Sequence, residues 1–128
     1  MKVCIACAYP GGPDAAIVDS LELSEMLDFY DLHENGEFEH TAQTRNCLGG
    51  CADPIETIMR RSTERVVVLT LSPNSLLKLT NSGVRIFKTN NPVVRFSLDL
   101  LSRDGLTEID RSQFSKLSAK QNEDVEGV

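Results

Sequence analysis

The run Met26-Leu27-Asp28-Phe29-Tyr30-Asp31-Leu32, then His33-Glu34-Asn35-Gly36, then Glu37-Phe38-Glu39-His40-Thr41, decides how this chain folds. Its Asn-Gly pair is a strong hairpin-turn signal, because both residues accept positive φ. The first run reads as a strand with Leu27, Phe29 and Asp31 on one face and Asp28, Tyr30 and Leu32 on the other. The second alternates apolar and polar residues more cleanly. An antiparallel hairpin is therefore expected in the first half of the chain.

Upstream, residues 3–8 are an apolar run closed by Pro10-Gly11-Gly12-Pro13, as for a short strand buried on both faces. Downstream, Asp53 can cap a helix over residues 54–61, with Pro54 at its first position and Glu56 closing a capping box. Ile55, Ile58 and Met59 are spaced to face a core. Val66-Val67-Val68-Leu69 is a β-branched run typical of a central parallel strand. Ser72-Pro73 opens a second helix carrying Leu76, Leu77 and Leu79, and Gly83 is placed to end it. Val84-Arg85-Ile86-Phe87 makes a fifth strand. Asn91-Pro92 opens a third helix with Val93, Phe96, Leu100 and Leu101 on one stripe.

The order β-β-β-α-β-α-β-α predicts an α/β domain over residues 1–105. Its expected form is a mixed five-stranded sheet with right-handed helical crossovers, a three-layer arrangement in ribonuclease-H-like order. Residues 106–128 are polar and charged and read as a flexible, disordered tail, with a short docking helix near residues 113–120 as the alternative.

Net charge is −6, which argues against a sequence-independent grip on nucleic-acid phosphates. No apolar run approaches the ~20 residues that span a bilayer. The stretch Met1-Lys2-Val3-Cys4-Ile5 is too short for the apolar core of a signal peptide, so a cytoplasmic protein is expected. In a reducing cytosol, four cysteines point to buried thiols, metal ligands or redox chemistry more than to structural disulfides.

The chemistry is expected in Asn46-Cys47-Leu48-Gly49-Gly50-Cys51. Gly49 and Gly50 let the Cys-x3-Cys thiols of Cys47 and Cys51 turn toward one ion or one cluster face. Cys51 leads into a helix start, where backbone N–H groups favour a thiolate. Thiolates select soft metals, and two are too few for a closed zinc site, so a labile or shared site fits. Cys4 and Cys7 are three apart on a strand and so point to opposite faces. Cys4 is expected in the core. Cys7, near the C-terminal strand end where open α/β sheets bind ligands, is a supplementary ligand candidate. His40, seven residues before Cys47, is another. Arg45 and Asn46 could hold an anionic cluster or an oxyanion. Asp14, Asp19 and Asp31 raise a two-metal nuclease, which the acidic balance of the chain argues against.

Several stretches together resemble the dinitrogenase iron–molybdenum cofactor biosynthesis family, the NifX-like small proteins and the C-terminal domain of NifB. They are Gly12-Pro13-Asp14-Ala15-Ala16-Ile17 after the first strand, Phe29-Tyr30-Asp31 running into Glu34-Asn35-Gly36-Glu37, and Val66-Val67-Val68-Leu69 with Ser72-Pro73-Asn74 and Gly83-Val84-Arg85-Ile86-Phe87. The family's histidine-phenylalanine-glycine-arginine box has no counterpart in residues 18–25, and Thr70-Leu71 replaces its glycine-rich step. The resemblance implies a non-enzymatic carrier of a metal–sulfur cluster, of iron–sulfur or molybdenum/iron–sulfur type. Its expected partners are cluster donor or acceptor proteins, without nucleic acid or membrane, and its expected state is a monomer or weak homodimer. The alternative from a different class is a thiol redox protein or sensor cycling a Cys47–Cys51 pair.

Overall fold

A computed structural model describes residues 1–17, 20–45 and 53–109. The strands are β1 (Lys2–Cys7), β2 (Met26–Leu32), β3 (Phe38–Arg45), β4 (Arg65–Val68), β5 (Arg85–Lys88) and β6 (Thr107–Ile109). The helices are α1 (Pro54–Arg60), α2 (Pro73–Asn81) and α3 (Val94–Ser102). All six strands join one sheet in the order β3-β2-β1-β4-β5-β6. The predicted hairpin is β2–β3, turning through Gly36 at φ 89°. β2 pairs antiparallel with β1, and β1, β4 and β5 run parallel, as expected when helices supply the connections.

The five-strand expectation is corrected to six. β6 lies in the stretch read as tail and pairs antiparallel with β5, setting Ile109 opposite Ile86. It covers the edge that β5 would otherwise leave unpaired, and Ile109 closes one side of the core. The sheet thus extends past residue 105, and residues 110–128 lie outside the described part.

Helices cover both faces. α1 and α2 bury Ile55, Ile58, Leu76 and Leu79 against Cys4, Ala6, Leu27, Phe29, Val66 and Val68. α3 buries Val94, Leu98 and Leu101 against Val3, Ile5, Cys7, Tyr30, Leu32, Val67 and Phe87. Cys4 and Cys7 therefore do point to opposite faces, as the strand period requires. The α3 stripe is Val94-Leu98-Leu101, in helical i, i+4, i+7 spacing, and it leaves Phe96 half exposed instead of buried. Met59 of α1, also expected inside, is exposed.

Two helix starts follow the sequence closely. Asp53 Oδ1 accepts from the Ile55 amide at 3.0 Å, and Ser72 Oγ accepts from the Ser75 amide at 3.2 Å. Glu22 reinforces the second, accepting from the Ser72 amide at 2.9 Å and from the Ser75 hydroxyl.

Candidate functional site around Asp28

The C-terminal end of β1 runs into residues 8–17, which cross the α3-side face of the sheet beside β2. The Gly11 amide donates to the Ala8 carbonyl at 2.8 Å, and the Ile17 and Val94 amides tie this segment to the start of α3. Gly11 and Gly12 have φ of +80° and +94°. Gly11 also needs the missing side chain, since a Cβ there would stand 2.6 Å from Asp28 Oδ1 and closer still to Gln43 Nε2.

Beneath this turn lies Asp28, a carboxylate with no exposed surface. Its Oδ2 accepts from the Gly12 amide at 2.5 Å and from the Tyr30 hydroxyl at 3.3 Å, and His40 Nε2 lies 3.5 Å away. Its Oδ1 accepts from Gln43 Nε2 at 3.0 Å, and the same nitrogen donates to the Pro10 carbonyl at 2.7 Å. A buried carboxylate is costly without such donors, and here one backbone amide and two side chains supply them.

A β-bulge makes the arrangement possible. β3 pairs regularly from Arg45 to Ala42, skips Thr41, and resumes with His40 opposite Tyr30. His40 and Gln43 are three positions apart, so a regular strand would place them on opposite faces. The inserted residue restores His40 to the face of Gln43 and Asp28, and the Thr41 hydroxyl is satisfied by the Phe29 carbonyl at 3.2 Å. His40 then stacks on Tyr30 with ring centroids 4.7 Å apart and planes 18° apart.

Cys7 completes the group. Its thiol is buried beside Asp28, and burial first, then the adjacent Asp28 carboxylate, pushes its pKa far up. Burial and Asp28 likewise push the Tyr30 phenol up. Cys4, on the other face, is raised first by its burial. Cys7 and Cys4 are thus neutral thiols at pH 7.

The sequence-derived candidates fall into two sets. Cys7 and His40 converge on Asp28, as their strand positions allow. Arg45 is the last described residue of β3; its guanidinium sits 5.2 Å over the Tyr9 ring. Asn46, Cys47, Gly49, Gly50 and Cys51 lie outside the described residues. Among the described residues, no three His, Cys, Asp or Glu side chains are grouped to hold a metal ion. Asp14 and Asp31 are separate, paired with Arg95 and with the terminal ammonium, each at 2.9 Å. Asp28, Tyr30 and Gln43 were missed as site residues. The available signal was a carboxylate at a strand position whose neighbours two residues away, Met26 and Tyr30, are both large and apolar in body.

No family model matches the chain, and no curated protein does. Solved structures do. A candidate dinitrogenase from Methanocaldococcus jannaschii aligns at 16% identity and TM-score 0.68, covering 85% of this chain and 94% of its own. A candidate NifB protein from Thermotoga aligns at 19% identity and TM-score 0.66, over 84% and 91%. The apo form of the orange protein from Desulfovibrio gigas aligns at 10% identity and TM-score 0.68, over 84% and 92%. The chain shares their fold. At these identities the likeness is one of backbone architecture and carries no residue's role with it. Among the described residues, no helix is long and apolar enough to cross a membrane.

Proposed function

We propose that this protein binds a metal–sulfur cluster or cluster precursor, of iron–sulfur or molybdenum/iron–sulfur type, and carries it during metallocluster assembly without catalysing a reaction. One observation supports the reading above the others. β3 ends at Arg45, which is in register with Met26, and Met26 with Cys7. The chain therefore leads on toward Cys47 and Cys51 from the sheet end that holds Cys7, the end where open α/β sheets take ligands. Folds shared with a candidate dinitrogenase and a candidate NifB protein favour nitrogenase cofactor assembly as the setting.

The ligand roles divide by protonation. A thiolate is needed to bind a soft metal, and Cys7 is held as a neutral thiol, so the primary ligands in this reading are Cys47 and Cys51. A soft cation close enough to displace the Cys7 proton would recruit that sulfur too, and His40 is the supplementary nitrogen ligand of this reading. Arg45 and Asn46, with Gly49 and Gly50, would steady an anionic cluster. The partners would be cluster donors and acceptors in the cytoplasm, met by a monomer or weak homodimer.

The test is anaerobic expression in medium supplemented with iron and molybdenum, followed by metal analysis and an absorption spectrum. Near-stoichiometric metal is expected, with most of it lost in Cys47→Ser and in Cys51→Ser while the thermal midpoint holds. Unchanged metal in both variants would overturn the assignment. A reversible two-electron couple in metal-free protein would point to the thiol redox alternative.

A further inference from the structure

A second recess lies far from Cys7, on the α1 side of the sheet at the end where β1 begins. It encloses about 450 Å³, within the range of small-molecule sites. Its walls carry three cations, Lys2, Arg60 and Arg61, two hydroxyls, Thr41 and Thr63, and an apolar floor of Phe29 and Ala42. Asp31 is the carboxylate among the lining residues, and the terminal ammonium holds it at 2.9 Å. Arg60 is engaged by Glu56. Neither Lys2 nor Arg61 has a carboxylate within ion-pair distance among the described residues, though the Lys2 charge acts on Asp31 from further off. The Arg61 guanidinium instead lies 4.8 Å over the Phe29 ring. Unpaired cations converging on one recess are notable in a chain of net charge −6.

Two local costs coincide there. Thr63 is 7% exposed, and its Oγ1 is buried without a hydrogen-bond partner among the described residues. Immediately before it, Ser62 takes φ 54°, in the left-handed region that a glycine would occupy with less strain just past a helix end. The Ser62 conformation closes the end of α1, where the Thr63 amide donates to the Ile58 carbonyl at 3.4 Å, whereas the Thr63 hydroxyl has no such account and a ligand acceptor would satisfy it.

We propose that this recess is a binding site for a compact organic oxyanion, an anionic head on a planar apolar body, with a phosphate monoester as the best match. The head would lie between Lys2 and Arg61 and reach the Thr63 hydroxyl, and the body would rest on Phe29 and Ala42. A guanidinium fork, an ammonium and the Thr63 hydroxyl offer donors in more directions than two carboxylate oxygens can use, which favours an anion with three. The site is independent of the cluster-carrier reading, since it involves neither the cysteines nor Asp28.

The experiment titrates phenyl phosphate into the full chain and follows backbone amide NMR shifts, with inorganic phosphate and benzyl alcohol as comparison ligands. Saturable shifts are expected at residues 2–3, 29–31, 41–42 and 60–63. Phenyl phosphate should bind at least tenfold more tightly than either comparison ligand. Arg61→Gln should lose tenfold or more in affinity, and Arg61→Lys should recover part of it. Thr63→Val should weaken binding at least threefold while raising the thermal midpoint, a combination that a purely structural threonine would not give. The proposal is overturned by shifts spread over the cationic surface at large. It is equally overturned by an Arg61→Gln affinity equal to that of the parent, with the amide spectrum of each variant confirming its fold.

Discussion

Replacing Asp28 with asparagine keeps the shape of the side chain and changes one acceptor into a donor. The consequence can be worked from three contacts. If the new amide nitrogen takes the place of Oδ2, it confronts the Gly12 N–H that now donates at 2.5 Å, and that buried amide loses its partner. If it takes the place of Oδ1, it confronts Gln43 Nε2. Gln43 could turn its own oxygen inward, but that forfeits the 2.7 Å bond to the Pro10 carbonyl. Either way one hydrogen bond is lost and one polar group is stranded, at a cost of about 1–3 kcal/mol. With an unfolding entropy of about 2.1 cal/mol/K per residue, this corresponds to a midpoint lowered by roughly 4–11 °C. Calorimetric melts of the two proteins at pH 7 measure it, and hydrogen exchange of the Gly12 amide localises it. A midpoint within about 1 °C of the parent, with Gly12 equally protected, would refute the claim that Asp28 fastens residues 8–12 to the sheet.

Two other outcomes follow from the titration properties of named groups. In the folded protein at pH 8, iodoacetamide should leave Cys4 and Cys7 unmodified and should label both after denaturation, because burial holds each as a thiol; peptide mass spectrometry reads the difference, and native-state labelling of Cys7 would contradict its placement. Glu22 pays a desolvation cost on burial, yet hydrogen bonds from the Ser75 and Ser72 side chains and the Ser72 amide outweigh it and lower its pKa from 4.5. A lowered carboxyl adds stability above its unfolded pKa and loses it as pH falls through the folded value. Glu22→Gln should therefore cost stability at pH 7 and narrow the gap to the parent below about pH 4, as measured by urea melts across that range.

The hairpin, the parallel strands and the helix starts were legible because each rests on local chemistry: Asn35-Gly36, the valine run of β4, Asp53-Pro54 and Ser72-Pro73. β6 was not, because three residues of Thr-Glu-Ile carry too little pattern, and its place depends on the open edge of β5. Cys7 and His40 were legible as candidates by type and by position along their strands. Their meeting point was not. Asp28 reads as the polar face of a hairpin until residues 8–12 are seen to close over it, and that closure is a long-range event, Gly12 and Asp28 being sixteen positions apart. The recess at Arg61 was hidden for a similar reason, since Lys2, Thr41 and Arg61 come from three distant parts of the chain.

The extra residue at Thr41 works as a parity switch. On its C-terminal side, odd positions of β3, Gln43 and Arg45, share the Asp28 face, and on its N-terminal side even positions do, Phe38 and His40. The two halves of one strand thus obey opposite rules for which side chains look inward. Any sequence comparison that aligns β3 without a gap at this point will match inward residues with outward ones along half its length. A homologue lacking the inserted residue would keep the hairpin and its turn, yet would have to find the histidine of this site one position further along the chain.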